Sequence, residues 1–184
     1  MRRSPRSASS WISGVKTEAT LGFGGNLGDP VAAFARALRS IAGHPAIARK
    51  SLSSVYRTPP WGKLDQPEFL NMAALVETDL SPADLLAFCL ELERESGRER
   101  RERWGPRTLD IDILTYGDTI IDQPGLQIPH PRIAERAFVL APLAEIAPML
   151  EIGGQSAAYL RDKLADPTVR PDAEATQRLK RMLD

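Results

Sequence analysis

Apolar residues along this chain recur with two periods, and the order of the periods outlines a fold. Glu18 to Phe23 reads as a short strand that runs into a glycine-rich turn, Gly22-Phe-Gly-Gly-Asn-Leu-Gly-Asp29. Asp29 is placed to cap a helix with Pro30 at its first position. Phe34, Leu38 and Ile41 mark the buried stripe of that helix, which stops at Gly43 and Pro45. Ala46 to Thr58 reads as one strand, with Ile47, Leu52 and Val55 facing inward. Pro59-Pro-Trp-Gly62 ends it and opens a loop lasting to about Pro67. Phe69 to Thr78 is a further strand. Ser81 caps a second helix with Pro82 at its first turn, Asp84 favourable to its dipole, Leu85, Leu86, Cys89 and Leu92 on one face, and Gly97 where a terminating glycine belongs.

Period two then returns. Leu109, Ile111 and Ile113 alternate with Asp110 and Asp112, so the apolar set and the two carboxylates occupy opposite faces of one strand. Asp118 to Ile121 reads as a short strand after Gly117. Ile128-Pro-His-Pro131 is extended, because residues before proline avoid the helical region. Ile133 to Ile146 is helical in parts and broken at Pro142. Pro148 to Gly154 is loop or short strand. Amphipathic segments at Ser156–Leu164 and Ala173–Leu183 close the chain.

Strand, helix, strand, strand, helix, strand is the split order of a ferredoxin-like α+β sandwich, an antiparallel sheet with helices packed on it. At 184 residues the chain is expected to form one domain, residues 18–184, preceded by a disordered leader over residues 1–17. The leader is basic and serine-rich but has no apolar middle, which argues against a secretory signal. No apolar run is long enough to span a bilayer.

Charge changes the picture only locally. Lys and Arg together equal Asp and Glu at 24 each, so no net field points to nucleic acid or to a membrane. Between Arg98 and Arg107, however, five arginines stand against two glutamates. The lone Cys89 excludes an internal disulfide, fits a reducing compartment such as the cytoplasm, and reads as packing rather than as a nucleophile.

The basic loop runs straight into the aspartate strand. Two like charges about 6–7 Å apart on one strand face are costly beside nothing. A divalent metal carrying a polyphosphate satisfies both parts, with the metal on Asp110 and Asp112 and phosphate oxygens on the arginines. The alternative for the arginines is a solvated face laced with glutamates. Thr58-Pro-Pro-Trp61 and Phe69-Leu-Asn71 bracket a loop rich in aromatic groups. They serve either as a rigid turn with a packed indole or as a stacking site for a flat heteroaromatic ligand read by one amide. His130, held between two prolines, is a turn residue or a phosphate ligand. The Gly22–Gly28 turn is an imperfect dinucleotide fingerprint, and no G-x-x-x-x-G-K-[ST] occurs. An RNA-binding module using the arginines lacks the aromatic pattern it needs.

Four segments in order resemble one family, the 6-hydroxymethyl-7,8-dihydropterin pyrophosphokinases of folate biosynthesis. They are Gly24-Gly-Asn-Leu-Gly-Asp29; Tyr56-Arg-Thr-Pro-Pro-Trp-Gly62 through Asp65-Gln-Pro-Glu-Phe-Leu-Asn71; Gly97 to Gly117 with its Arg-Trp-Gly-Pro-Arg-Thr-Leu-Asp-Ile-Asp-Ile-Leu core; and Pro129-His-Pro-Arg132 through Glu135-Arg-Ala-Phe-Val-Leu140. The resemblance covers roughly residues 18–150. It implies transfer of pyrophosphate from ATP to a pterin alcohol with release of AMP, and two Mg2+ ions on Asp110 and Asp112. It implies ATP contacts at Glu93, Arg98, Arg100, Arg103, Trp104, Arg107, Ile113, His130 and Arg136, with Arg98 and Arg100 also catalytic. It implies pterin contacts at Thr58, Pro59, Trp61, Phe69, Asn71 and Phe138. A cytoplasmic monomer without nucleic-acid or membrane partners is the matching expectation. The chain departs from the family pattern at Gly25, commonly serine, at Phe69, where tyrosine is also seen, and at Pro131.

Overall fold

The computed structural model describes residues 16–60, 65–97 and 106–184. Trp61, Arg98, Arg100, Arg103 and Trp104 lie outside the described residues, as do residues 1–15.

Strand β1 (Thr17–Gly25) leads to helix α1 (Pro30–Gly43), then β2 (Ile47–Leu52), β3 (Tyr56–Thr58) and β4 (Phe69–Thr78). Helix α2 (Pro82–Glu95) and strand β5 (Asp110–Tyr116) complete the split pattern. β1 lies between β4 and β5, and β2 and β3 both pair with β4 along its other edge, every pairing antiparallel. This is the ferredoxin-like order that the sequence predicts. Both helix starts follow their caps: Asp29 accepts the Ala32 N–H, and Ser81 accepts the Asp84 N–H.

Alternation assigns the two sheet faces. Leu21 and Phe23 of β1, Met72, Ala74 and Val76 of β4, and Ile111 and Ile113 of β5 join Phe34, Leu38, Ile41, Leu85 and Cys89 in one buried cluster. That face is closed by α1 and α2. The opposite face presents Gly22 and Gly24, Phe69, Asn71 and Ala73, and Asp110 and Asp112. It is partly covered by helix α3 (Ala137–Ile146), which builds a second cluster from Leu140, Leu143, Leu114 and Ile133.

Three local expectations need correction. The strand predicted over Ala46–Thr58 is two strands, because Ser53 Oγ accepts the Ala73 N–H and Ser54 turns toward Glu145. The short strand after Gly117 starts later, as β6 (Ile121–Gln123), and forms a hairpin with β7 (Leu126–Ile128). Pro142 does not break its helix. The helical run begins only at Ala137, after a single 3-10 turn at Ile133–Glu135, and Pro142 sits buried within α3.

The tail, whose role the sequence analysis left open, closes the sheet edge. After β8 (Glu151–Ile152), β9 (Gln155–Ser156) and helix α4 (Ala157–Leu164), strand β10 (Arg170–Pro171) pairs with β3 and helix α5 (Ala173–Leu183) adds Ala175 and Leu179 to the main core. Asp172 caps α5 and accepts two bonds from the Arg57 guanidinium, at 2.9 and 2.6 Å. Arg178 forks onto Asp29 at the start of α1. The tail therefore fixes both β3 and the end of the glycine-rich turn. No helix among the described residues is long and apolar enough to cross a membrane.

Candidate active site

A cleft opens on the α3 side of the sheet. Its floor is β1, where Gly22 pairs with Asp112 and Gly24 with Asp110. Glycine at these two positions keeps the floor clear. A Cβ on Gly22 would approach Leu114 to 3.3 Å, and one on Gly24 would approach Asn71 Oδ1 to 3.3 Å. The aspartates therefore project beside two positions of β1 that carry no side chain. The sequence reading missed this role of Gly22 and Gly24. The signal was present in their i, i+2 spacing on the aspartate face.

One wall of the cleft is apolar and aromatic. Phe69 of β4, Phe138 and Val139 of α3 and Pro59 after β3 line it. Within that wall Asn71 is 6% exposed and donates from Nδ2 to Thr58 Oγ1 at 2.9 Å, which leaves its carbonyl oxygen on the Gly24 side. A buried amide held this way offers a fixed acceptor to a flat polar ring.

The other wall is cationic. Arg107 ion-pairs through Nη1 with Asp110 Oδ2, and its guanidinium lies 5.8 Å from the Phe69 ring centre. Arg136, at the start of α3, lies 5.7 Å from the ring centre of Phe138. Burial pushes the Arg136 guanidinium below its usual pKa, opposed by the carboxylates of Asp112 and Asp110. Each aromatic wall residue is thus backed by an arginine.

Three further residues implied by the resemblance stand around this cleft rather than in its lining. Glu93 is 3% exposed on α2, and its Oε1 accepts the Ile111 N–H at 2.8 Å. It caps an outward backbone group of edge strand β5 midway between the aspartates. The Ile113 side chain is buried in the helix-covered core. His130, after the cis Ile128–Pro129 peptide, donates its N–H to Leu114 O at 2.8 Å, occupying another outward group of β5. Burial first, and Arg136 second, push the His130 imidazole below its ordinary pKa, so it is neutral at pH 7. Cys89 is fully buried and pushed up to about 12, chiefly by burial and then by Glu93 and Asp112, which rules out a thiolate nucleophile at neutral pH.

Comparison with known proteins decides the family. The model of the 7,8-dihydro-6-hydroxymethylpterin-pyrophosphokinase (HPPK) family matches residues 20–148. The chain belongs to the HPPK family. It is 48% identical over 152 residues to a 2-amino-4-hydroxy-6-hydroxymethyldihydropteridine pyrophosphokinase of Methylorubrum extorquens, covering 83% of this chain and 96% of that one. It is 44% identical over 139 residues to the protein of the same name from Bacillus subtilis, covering 76% and 83%. Among solved structures, HPPK-DHPS from Plasmodium falciparum matches with a TM-score of 0.65 at 16% identity, a likeness of fold. The match covers 81% of this chain and 42% of that one, so this chain spans under half the length of the fused protein. The HPPK match ends at Pro148, which leaves β8 to α5 outside it.

Proposed function

We propose that this cleft carries the HPPK reaction, in which the β,γ-pyrophosphoryl group of ATP passes to the hydroxymethyl oxygen of 6-hydroxymethyl-7,8-dihydropterin, leaving AMP. The observation that carries the reading is the meeting of two unlike walls over a glycine floor. Phe69, Phe138, Asn71 and Thr58 suit a flat heteroaromatic ring, Arg107 and Arg136 suit a polyphosphate, and Asp110 and Asp112 line the same cleft. On this reading the pterin alcohol ends beside the aspartates and meets the β-phosphorus there.

The donor set fits Mg2+. Among the described residues no group of three or more His, Cys, Asp or Glu side chains forms a closed metal cage. Two carboxylates on one strand face match an ion that keeps waters and substrate phosphate oxygens as its remaining ligands. Asp110 and Asp112 would hold it, two ions being the number that the family resemblance implies. When bound, it offsets charge on the attacking and leaving oxygens. Arg107 and Arg136 orient the triphosphate, and Arg98, Arg100, Arg103 and Trp104 belong to the same nucleotide side by resemblance. By resemblance, Trp61 and Phe138 would stack on the pterin. Neutral His130 is a hydrogen-bonding partner for a phosphate oxygen rather than a charge. Positioning and electrostatics then account for the chemistry without a dedicated side-chain base. A cytoplasmic monomer remains part of this proposal.

Incubation of the protein with ATP, Mg2+ and the hydroxymethyl-dihydropterin tests it. AMP appearing in step with pterin diphosphate is expected. ADP in its place, or no AMP above a control without pterin, would overturn the reaction assigned to the cleft.

A further inference from the structure

Asn26 follows the last residue of β1, and nothing in the reaction described above gives it a role. It is a polar residue only 6% exposed, and both ends of its amide are engaged. Its backbone N–H donates to Arg107 O at 2.9 Å, and its Oδ1 accepts the Arg107 N–H at 2.9 Å. The main chain at Arg107 is thus gripped from both sides by one residue. Leu27 adds a second N–H to the Arg107 carbonyl at 3.1 Å. In the other direction, Asn26 Nδ2 donates to Gln66 Oε1 at 3.1 Å and to Pro67 O at 3.0 Å. Pro67 stands two residues before Phe69, the aromatic group over which the Arg107 guanidinium lies.

The chemistry of the side chain matches this geometry. A primary amide offers one acceptor and two donors on a short stem. An acid of the same shape keeps the acceptor and loses the donors, and alanine loses both. We propose that Asn26 is a positioning residue that fixes the spacing between the two walls of the cleft. It holds Arg107 for the nucleotide through Oδ1 and the Phe69 segment for the pterin through Nδ2. The inference rests on the reading of those walls given above.

Binding of each ligand alone separates this role from simple fold maintenance. The probes are a non-hydrolysable methylene analogue of ATP with Mg2+, and the hydroxymethyl-dihydropterin, each followed by calorimetry. Asn26→Ala is expected to weaken both ligands by about three- to tenfold, the change that one net hydrogen bond of positioning produces. Asn26→Asp is expected to weaken the pterin by a similar factor while nucleotide affinity stays within about twofold, since the Arg107 N–H keeps its acceptor. If Asn26→Ala does not fold, the isosteric Asn26→Asp variant carries the test alone. Loss of melting temperature with both affinities at wild-type values would overturn the inference, as would equal loss of both ligands in Asn26→Asp. Absence of binding by the wild-type protein would instead remove the reading of the two walls, and the inference with it.

Discussion

Gly25→Ala places one methyl group where the glycine turn meets the start of β5. A Cβ at Gly25 would stand 2.7 Å from the backbone oxygen of Thr108, 3.3 Å from Pro30 Cβ and 3.4 Å from the Thr108 carbonyl carbon. A backbone oxygen has no rotamer to change, so either β1 or the Thr108 peptide must move. The Thr108 peptide is poorly placed to yield. The adjoining Arg107 peptide carries bonds from Asn26 N–H and Leu27 N–H and donates to Asn26 Oδ1. Overpacking of this kind costs about 1–3 kcal/mol, and the pinned neighbour, in a chain whose backbone is set by glycine where the family pattern commonly has serine, places the change at about 2–3 kcal/mol. For a chain of this size that corresponds to a melting temperature lower by roughly 4–12 °C. Turnover should fall as well, because Arg107 and Asp110 flank the displaced peptide. Gly43→Ala is the control: nothing lies within 4 Å of its Cβ, and it is the last residue of α1. There the same change removes backbone freedom from the unfolded chain and should raise stability by up to about 1 kcal/mol. Thermal unfolding of the two variants decides the matter. A Gly25→Ala protein that melts with the wild type would refute the close-approach account.

The remaining predictions concern single side chains. Asp112→Ala should lower turnover by about two to three orders of magnitude or more while the melting temperature moves by no more than about 2 °C, and near-normal AMP release would contradict the metal role. Asn71→Ala leaves the buried Thr58 hydroxyl without its donor and should cost about 1–3 kcal/mol of pterin binding, with nucleotide affinity retained; calorimetry reads both. Tyr56 donates to Glu145 Oε2 at 2.9 Å, and burial followed by that carboxylate pushes its phenol from 10.0 up to about 12. The folded-state value is raised, so its contribution to stability is complete below about pH 10 and is lost as pH rises from there through about 12. Ultraviolet titration of wild type minus Tyr56→Phe should show this late phenol, and Glu145→Gln should move it back toward the ordinary value; a Tyr56 midpoint near 10 in the wild type would contradict the contact.

Much of the arrangement was legible in the residues, and for identifiable reasons. The Phe69–Thr78 strand was read with the bounds it has, because its alternation is unbroken and a proline-rich loop and a capped helix flank it. Asp110 and Asp112 share a face because period two leaves no other choice. Asp29 and Ser81 declared their helices through cap chemistry that is local in sequence. What stayed hidden depends on contacts distant in the chain. The break between β2 and β3 follows from Glu145, about 90 residues on, accepting from Ser54. The continuity of α3 through Pro142, which lies buried within the helix, has no local signal in the chain. The tail read only as two amphipathic segments, yet Asp172 reaches Arg57 and Arg178 reaches Asp29 across more than 100 positions. Glu93 and Asn26 belong to the same class. A buried carboxylate on an edge-strand amide and an amide gripping a distant peptide leave no periodic trace in the chain.

The most direct test follows the phosphorus atoms. ATP labelled at the β-phosphorus is supplied with Mg2+ and the hydroxymethyl-dihydropterin, and the products are separated. Recovery of the label in the pterin product, at one equivalent per AMP formed, is the predicted result. Label left wholly in a nucleoside diphosphate, with only the γ-phosphate moved, would contradict attack at the β-phosphorus and with it the alignment of the two walls over Asp110 and Asp112.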